Sequence, residues 1–197
     1  MSYRAEMVHR TDTRRRMLDS AAELFRTQGY HATGLTQLVS AGKAPKGSLY
    51  FHFPGGKEQL AAEAVRLSGE QLGTQLAELA VSAPDPATAV DRIIEALAGS
   101  LTESGFSCGC PIATVALEAG DSEEIRTACD DSYSGWLAGL SAYFTAHGLP
   151  EDRATSLATV VLSAIEGALL LARTRRDRAP LQAVATHLHA TVEREFS

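Results

Sequence analysis

The sequence predicts an all-α chain, and three observations carry that prediction. Apolar residues recur at spacings of three and four through every long segment. No convincing period-two apolar run bounded by hairpin turns occurs. Gly29, Pro54-Gly55-Gly56, Pro84, Pro86, Gly105, Gly109 and Gly120 punctuate the chain between periodic segments.

The elements follow in order. A first helix is predicted over Asp12–Gln28, where Met17, Leu18, Ala21, Leu24 and Phe25 form one apolar stripe and Gly29 suits the position that ends a helix. A second covers Leu35–Ala41 and buries Leu38 and Val39. A third covers Pro45–His52, with Pro45 suited to the first helical position, before Pro54-Gly55-Gly56 breaks the chain. A fourth runs over Lys57–Ala80, and Ser82–Pro86 is a loop. Helices are then expected over Ala87–Glu103, Pro111–Glu118, Glu123–His147, Glu151–Arg175 and Pro180–Glu195. The RTRRDR run at 173–178 is a solvated connector between the last two.

Composition excludes several classes. No run of 18 apolar residues is present, so no membrane span is expected. The first residues, MSYRAEMVHRTDTRRR, lack the apolar stretch of a secretion signal. Three cysteines, Cys108, Cys110 and Cys129, are an odd number confined to the second half, which argues for a reducing cytoplasm over a disulfide framework. Cys108 and Cys110 could share a soft metal, but a tetrahedral site needs more ligands, and small cysteines packing a helix break is the preferred reading. No Ser/His/Asp set and no phosphate-cradling glycine loop is found, and His187 and His189 lie on different helix faces. An enzyme, a cofactor and a resident metal are therefore not expected.

A net charge of −6 argues against nucleic acid, but its distribution points the other way. Residues 1–57 hold nine basic and four acidic residues, leaving +5, and the remainder holds nine and twenty, leaving −11. A basic head on an acidic body suits a protein that touches phosphates at one end. That head contains Gly29–Leu60, GYHATGLTQLVSAGKAPKGSLYFHFPGGKEQL. Two short helical segments flank a Gly42-Lys43 turn. On the second, Lys46, Gly47, Ser48, Tyr50 and His52 present small and hydrogen-bonding groups while Leu49 and Phe53 anchor the other face, a pattern suited to a helix in a DNA major groove. Gly47 has no Cβ, so backbone can approach the groove floor, and Lys46 could donate to guanine O6/N7. Arg14–Arg16 and Arg10 could track the flanking phosphates. At the start of its helix, Lys57 could grip another.

This segment resembles the helix-turn-helix of the tetracycline-repressor (TetR) family. Leu49-Tyr50-Phe51-His52-Phe53 falls where that family carries its aromatic L-Y-x-H-F signature. The longer Pro54–Leu60 ending, and Cys108-Gly109-Cys110-Pro111-Ile112 further on, are similar to the LmrA/YxaF-like branch. The resemblance implies an N-terminal three-helix DNA-binding domain at residues 1–57, then a helical effector-binding and dimerisation domain at 58–197. It implies phosphate contacts for Tyr50, His52 and Lys57, and base-proximal positions for Lys46, Gly47 and Ser48. Arg14, Thr36 and Phe51 complete the expected DNA-binding set. Two positions depart from the family pattern. Lys43 stands where a glycine is common, so a left-handed backbone there carries strain. Ala44-Pro45 replaces the usual serine-type cap.

A double-stranded, palindromic operator requires two-fold pairing. The last two helices could supply it through one stripe of Leu157, Val161, Ala164, Ile165, Ala168 and Ala172 and another of Leu181, Val184, Ala185, Leu188 and Val192. Both stripes would equally serve the protomer's own core. The family also implies a small-molecule pocket. Its expected lining is Leu101, Phe106, Cys108, Cys110, Ile112, Val115, Tyr133, Trp136, Leu137, Tyr143 and Glu166, an apolar set suited to a flat aromatic or amphipathic effector. The expectation is a cytoplasmic, homodimeric repressor that an effector releases from its operator and that controls a neighbouring efflux or detoxification gene.

Overall fold

The computed structural model describes the backbone of residues 2–45 and 47–197 and the side chains of 12–45 and 47–197. Among these residues there are nine helices and no strand. They are α1 (Ser2–Gln28), α2 (Leu35–Ala41), α3 (Ser48–His52), α4 (Gly56–Val81), α5 (Pro86–Glu103), α6 (Pro111–Glu118), α7 (Glu123–Ala146), α8 (Glu151–Arg175) and α9 (Ala179–Glu195).

The chain divides into two compact units. The first comprises Met1–Gly69 and Pro111–Ser132, and the second Glu70–Cys110 and Tyr133–Ser197. The first unit includes residue 57 and runs beyond it. That unit extends along α4 and takes in α6 and the first part of α7, because α6 packs on α1.

In the first unit, the stripe expected on α1 is buried at Met17, Leu18, Ala21 and Phe25, while Leu24 is only partly covered. Leu38, Leu49, Phe53, Leu60 and Ile112 join the buried set. The end of α1 falls where its sequence places it: Gly29 takes φ +89° and its N–H donates to the Phe25 carbonyl at 3.0 Å. Lys43 does adopt the left-handed conformation, at φ +49°.

One element is shorter than expected. Helix α3 begins at Ser48, not at Pro45, because Gly47 at its N-cap has φ +94°, which right-handed helix cannot contain. Pro45 sits in the preceding turn, where its carbonyl accepts from the Ser48 N–H at 3.0 Å.

The second unit is built on α5, α8 and α9. Asp85 caps α5 by accepting from the Thr88 N–H at 2.8 Å, and Pro86 takes the first turn. Val90, Ile94, Leu101, Phe144, Val161 and Leu181 lie at the centre of one core cluster. By length and composition α8 could cross a membrane, but its Ala154, Leu157, Ala158, Val161, Ile165, Ala168, Leu169 and Ala172 are packed into this core.

Candidate nucleic-acid interface

Helix α3 is five residues long, too short to be stable by its own hydrogen bonds. Tertiary anchoring holds it: Leu49 and Phe53 are buried, and the Phe53 N–H closes the last turn on the Leu49 carbonyl at 2.7 Å. Two buried neighbours fix which way the other face points. On that face Tyr50 is 60% exposed and Phe51 is 59% exposed. Phe51 meets the His52 ring edge-on at 5.0 Å between centroids. Gly47 has open space where a Cβ would stand, and Ser48 is partly exposed beside it. Thr36 on α2 is exposed as well. The structure thus brings Gly47, Ser48, Tyr50, Phe51 and His52 together on one short segment of the first unit. Lys46 lies outside the described residues.

The expected cations take up internal contacts. Arg14 ion-pairs with Glu63 of α4 and lies 4.9 Å above the Phe53 ring, tying α1 to the base of α3. Arg15 pairs with Asp19, and Arg16 pairs with Asp12 and donates to the Gly42 carbonyl at 3.3 Å. Lys57 donates to the Tyr30 carbonyl at 2.6 Å, with its ammonium 4.1 Å from the Tyr30 ring centroid. Burial holds the Lys57 pKa below the usual lysine value, opposed by the Glu118 carboxylate.

Glu118, at the end of α6, is the residue whose importance here no sequence pattern signals. Its carboxylate accepts from the His31 N–H at 2.8 Å, and its carbonyl meets His31 Nε2 at 2.7 Å. Gly29 takes φ +89°, a conformation other residues adopt only with strain, and a Cβ there would press on the movable end of the Glu118 side chain. The corner between α1 and α2 is therefore clamped by a residue 87 positions away.

The expected effector residues divide. Val115 is buried in the first unit. Leu101 belongs to the core cluster of the second unit, with Phe106, Leu137 and Tyr143 packed against it. Cys108 is buried at the helix break, 3.7 Å from the Ser107 hydroxyl. A separate polar and aromatic group forms from Cys110, Tyr133, Trp136 and Glu166. Cys110 Sγ lies 4.0 Å from the Tyr133 hydroxyl and hydrogen-bonds the Glu166 carboxylate, and the Tyr133 and Trp136 rings meet at 88° with centroids 5.6 Å apart. Among the described residues no group of three potential metal ligands converges. Burial pushes the Cys129 thiol up to about 11, so it stays protonated.

Both expected pairing stripes pack within the protomer. Leu157, Val161, Ile165, Ala168, Leu181 and Leu188 are buried in the core of the second unit, and Ala164 and Val184 are packed against it. Periodicity identifies a coherent face on each helix, but it is the face turned to the protomer's own core. The exposed apolar residues of α8 are instead Val160, Leu170 and Leu171.

Comparison with known proteins agrees with this architecture. Residues 17–64 match the family described as bacterial regulatory proteins, tetR family, and residues 86–187 match the C-terminal domain of LmrA/YxaF-like transcriptional regulators. The chain is 36% identical over 190 residues to the HTH-type transcriptional regulator YxaF of Bacillus subtilis, covering 96% of this chain and 100% of that protein. It is 39% identical over 176 residues to the HTH-type regulator LmrA of the same organism, covering 86% and 91%. A crystal structure of a TetR transcriptional regulator from Chloroflexus aurantiacus superposes with a TM-score of 0.80 at 27% identity, covering 95% of this chain and 97% of that one. An anchored helix-turn-helix in the first unit, with family matches along both parts of the chain, makes this protein a member of the TetR family of transcriptional regulators, in its LmrA/YxaF-like branch.

Proposed function

We propose that this regulator is a cytoplasmic homodimer that represses transcription by binding a palindromic operator, and that a small aromatic or amphipathic effector releases it. The observation that carries the reading is α3: two buried anchors hold it while Tyr50 and Phe51 stand in the open beside a bare Gly47 backbone. Residues 1–57 serve as the DNA-reading head and 58–197 as the effector-binding and pairing body. Tyr50, His52, Lys57 and Arg14 meet phosphates, while Lys46, Gly47, Ser48, Thr36 and Phe51 lie nearest the bases. Lys57 still has donor capacity beyond its bond to Tyr30, and a phosphate would offset the cost of its burial.

Pairing is assigned to the open face of α8, through Val160, Leu170 and Leu171. Two copies would then present two recognition helices to half-sites roughly 34–36 Å apart. Effector binding would favour a different spacing, with a coupling free energy of about 1–3 kcal/mol. The target is a neighbouring efflux or detoxification gene. In this reading the protein has no catalytic turnover of its own.

The test is binding to the DNA upstream of its own gene, followed by fluorescence anisotropy across a salt series. Specific binding should weaken about tenfold in Tyr50→Ala, with the slope of the salt dependence unchanged because the lost group carries no charge. Equal affinity for upstream and random DNA, with a site selection that yields no preferred sequence, would exclude a sequence-reading repressor.

A further inference from the structure

We propose that Tyr133, Trp136 and Glu166 of the second unit form a binding site for an organic cation with an aromatic body. The assignment rests on the effector-responsive reading above and gives that effector a charge.

Three elements supply the cluster: Cys110 precedes α6, Tyr133 and Trp136 lie one turn apart on α7, and Glu166 lies on α8. The two rings stand at right angles, so a face and an edge form a corner. The indole is seated against α4, since a Cβ at position 73 would lie 2.9 Å from Trp136 Nε1. This close approach fixes the ring rather than leaving it free to turn. Tyr133, Trp136 and Glu166 are each partly exposed, so a ligand can reach all three.

The carboxylate is the informative group. Burial raises the Glu166 pKa, and only the Cys110 thiol opposes that rise by hydrogen bonding. A thiol is a weak donor and brings no positive charge. Among the described residues no lysine, arginine or histidine ion-pairs with Glu166. The nearby Arg173, two turns further along α8, lies against Gly109. A carboxylate drawn out of water without a counter-charge is costly, and a cation entering beside it relieves that cost. Aromatic faces attract the same cation. A neutral aromatic ligand would gain the ring contacts and leave the carboxylate unrelieved.

Trp136 is the single tryptophan of the chain, so its emission reports on this cluster directly. The full-length protein is titrated with phenyltrimethylammonium and with tert-butylbenzene, its uncharged isostere. A purely apolar pocket prefers the hydrocarbon, because the ammonium must be desolvated. Here the ammonium is expected to bind at least tenfold more tightly, and Glu166→Gln is expected to reverse the order. A hydrocarbon that binds the unaltered protein as well as the ammonium overturns the proposal, as does an emission unchanged by the ammonium. The comparison of two ligands on the unaltered protein decides the matter even if the variant folds poorly. Operator binding by the same preparation separates the two readings: intact operator recognition with no cation preference overturns only this proposal, whereas lost recognition strikes at the repressor reading.

Discussion

Helices α3 and α8 both hold large apolar side chains in the open, to similar extents: about three-fifths at Tyr50 and Phe51, and 51%, 58% and 49% at Val160, Leu170 and Leu171. Their supports differ. Five residues of α3 hang on two buried anchors, whereas α8 puts eight side chains into a core. Their chemistry differs too. Tyr50 carries a hydroxyl and Phe51 sits beside an imidazole, so α3 offers aromatic surface with polar tips, suited to a wet, charged surface such as DNA. The open positions of α8 are aliphatic, suited to a dry contact with a second copy of the chain. Exposure alone does not say what covers a surface; the polar content and the stiffness beneath it do.

Loss of an anchor under α3 has the largest expected effect. Phe53→Ala removes a fully buried ring under both α3 and the Arg14 guanidinium. It should cost about 3–5 kcal/mol in urea unfolding and abolish operator binding. On α8 the expected outcome depends on the face. Leu170→Glu with Leu171→Glu should leave helix content by circular dichroism intact while weakening self-association by about 2 kcal/mol or more in sedimentation equilibrium. Val161→Glu, one position from the exposed Val160, should unfold the protein instead, because it buries a carboxylate in the core.

The smallest effect concerns the α5–α9 contact, where His189 meets Asp91 at 2.7 Å. The Asp91 carboxylate, by hydrogen bond and by charge, raises the His189 pKa, with Glu193 and Asp85 adding to it. A raised histidine pKa stabilises the fold below the unperturbed value near 6.5, and the contribution fades as pH rises through the higher folded value. His189→Gln should therefore lower Tm at pH 5.5 and leave it unchanged at pH 8.5. An equal loss at both pH values would mean that packing, not charge, holds this contact.

Much of this is legible in the chain because it is local. The bounds of α2, α6 and α8 follow from apolar spacing and from the Gly and Pro residues that flank them. Leu49 and Phe53 announce themselves as anchors by falling four residues apart on one face. The start of α3 is not legible, since whether Gly47 continues a helix or turns left-handed is decided by a dihedral angle that glycine leaves open. The α8 stripe is half legible: periodicity says that Leu157, Val161 and Ile165 share a face, but a helix apolar on more than one side does not say which face its own core takes. Glu118 is the least legible, and the surroundings of Glu166, though it stands in the expected effector lining, are no more so, because each meets partners far away in sequence. Glu118 meets the α1–α2 corner, and Glu166 meets a thiol 56 positions earlier.

The clamp of Glu118 on Gly29 and His31 bears on how such regulators can be recombined. A chimera that splices residues 1–57 onto a foreign sensor carries the glycine and the histidine but leaves their counterpart behind. Whatever side chain then occupies the end of the foreign sixth helix must match a turn shaped around a carboxylate. Biosensor grafts from this branch should transplant Pro111–Ser132 together with the head, treating two separated stretches of gene as one inheritable part.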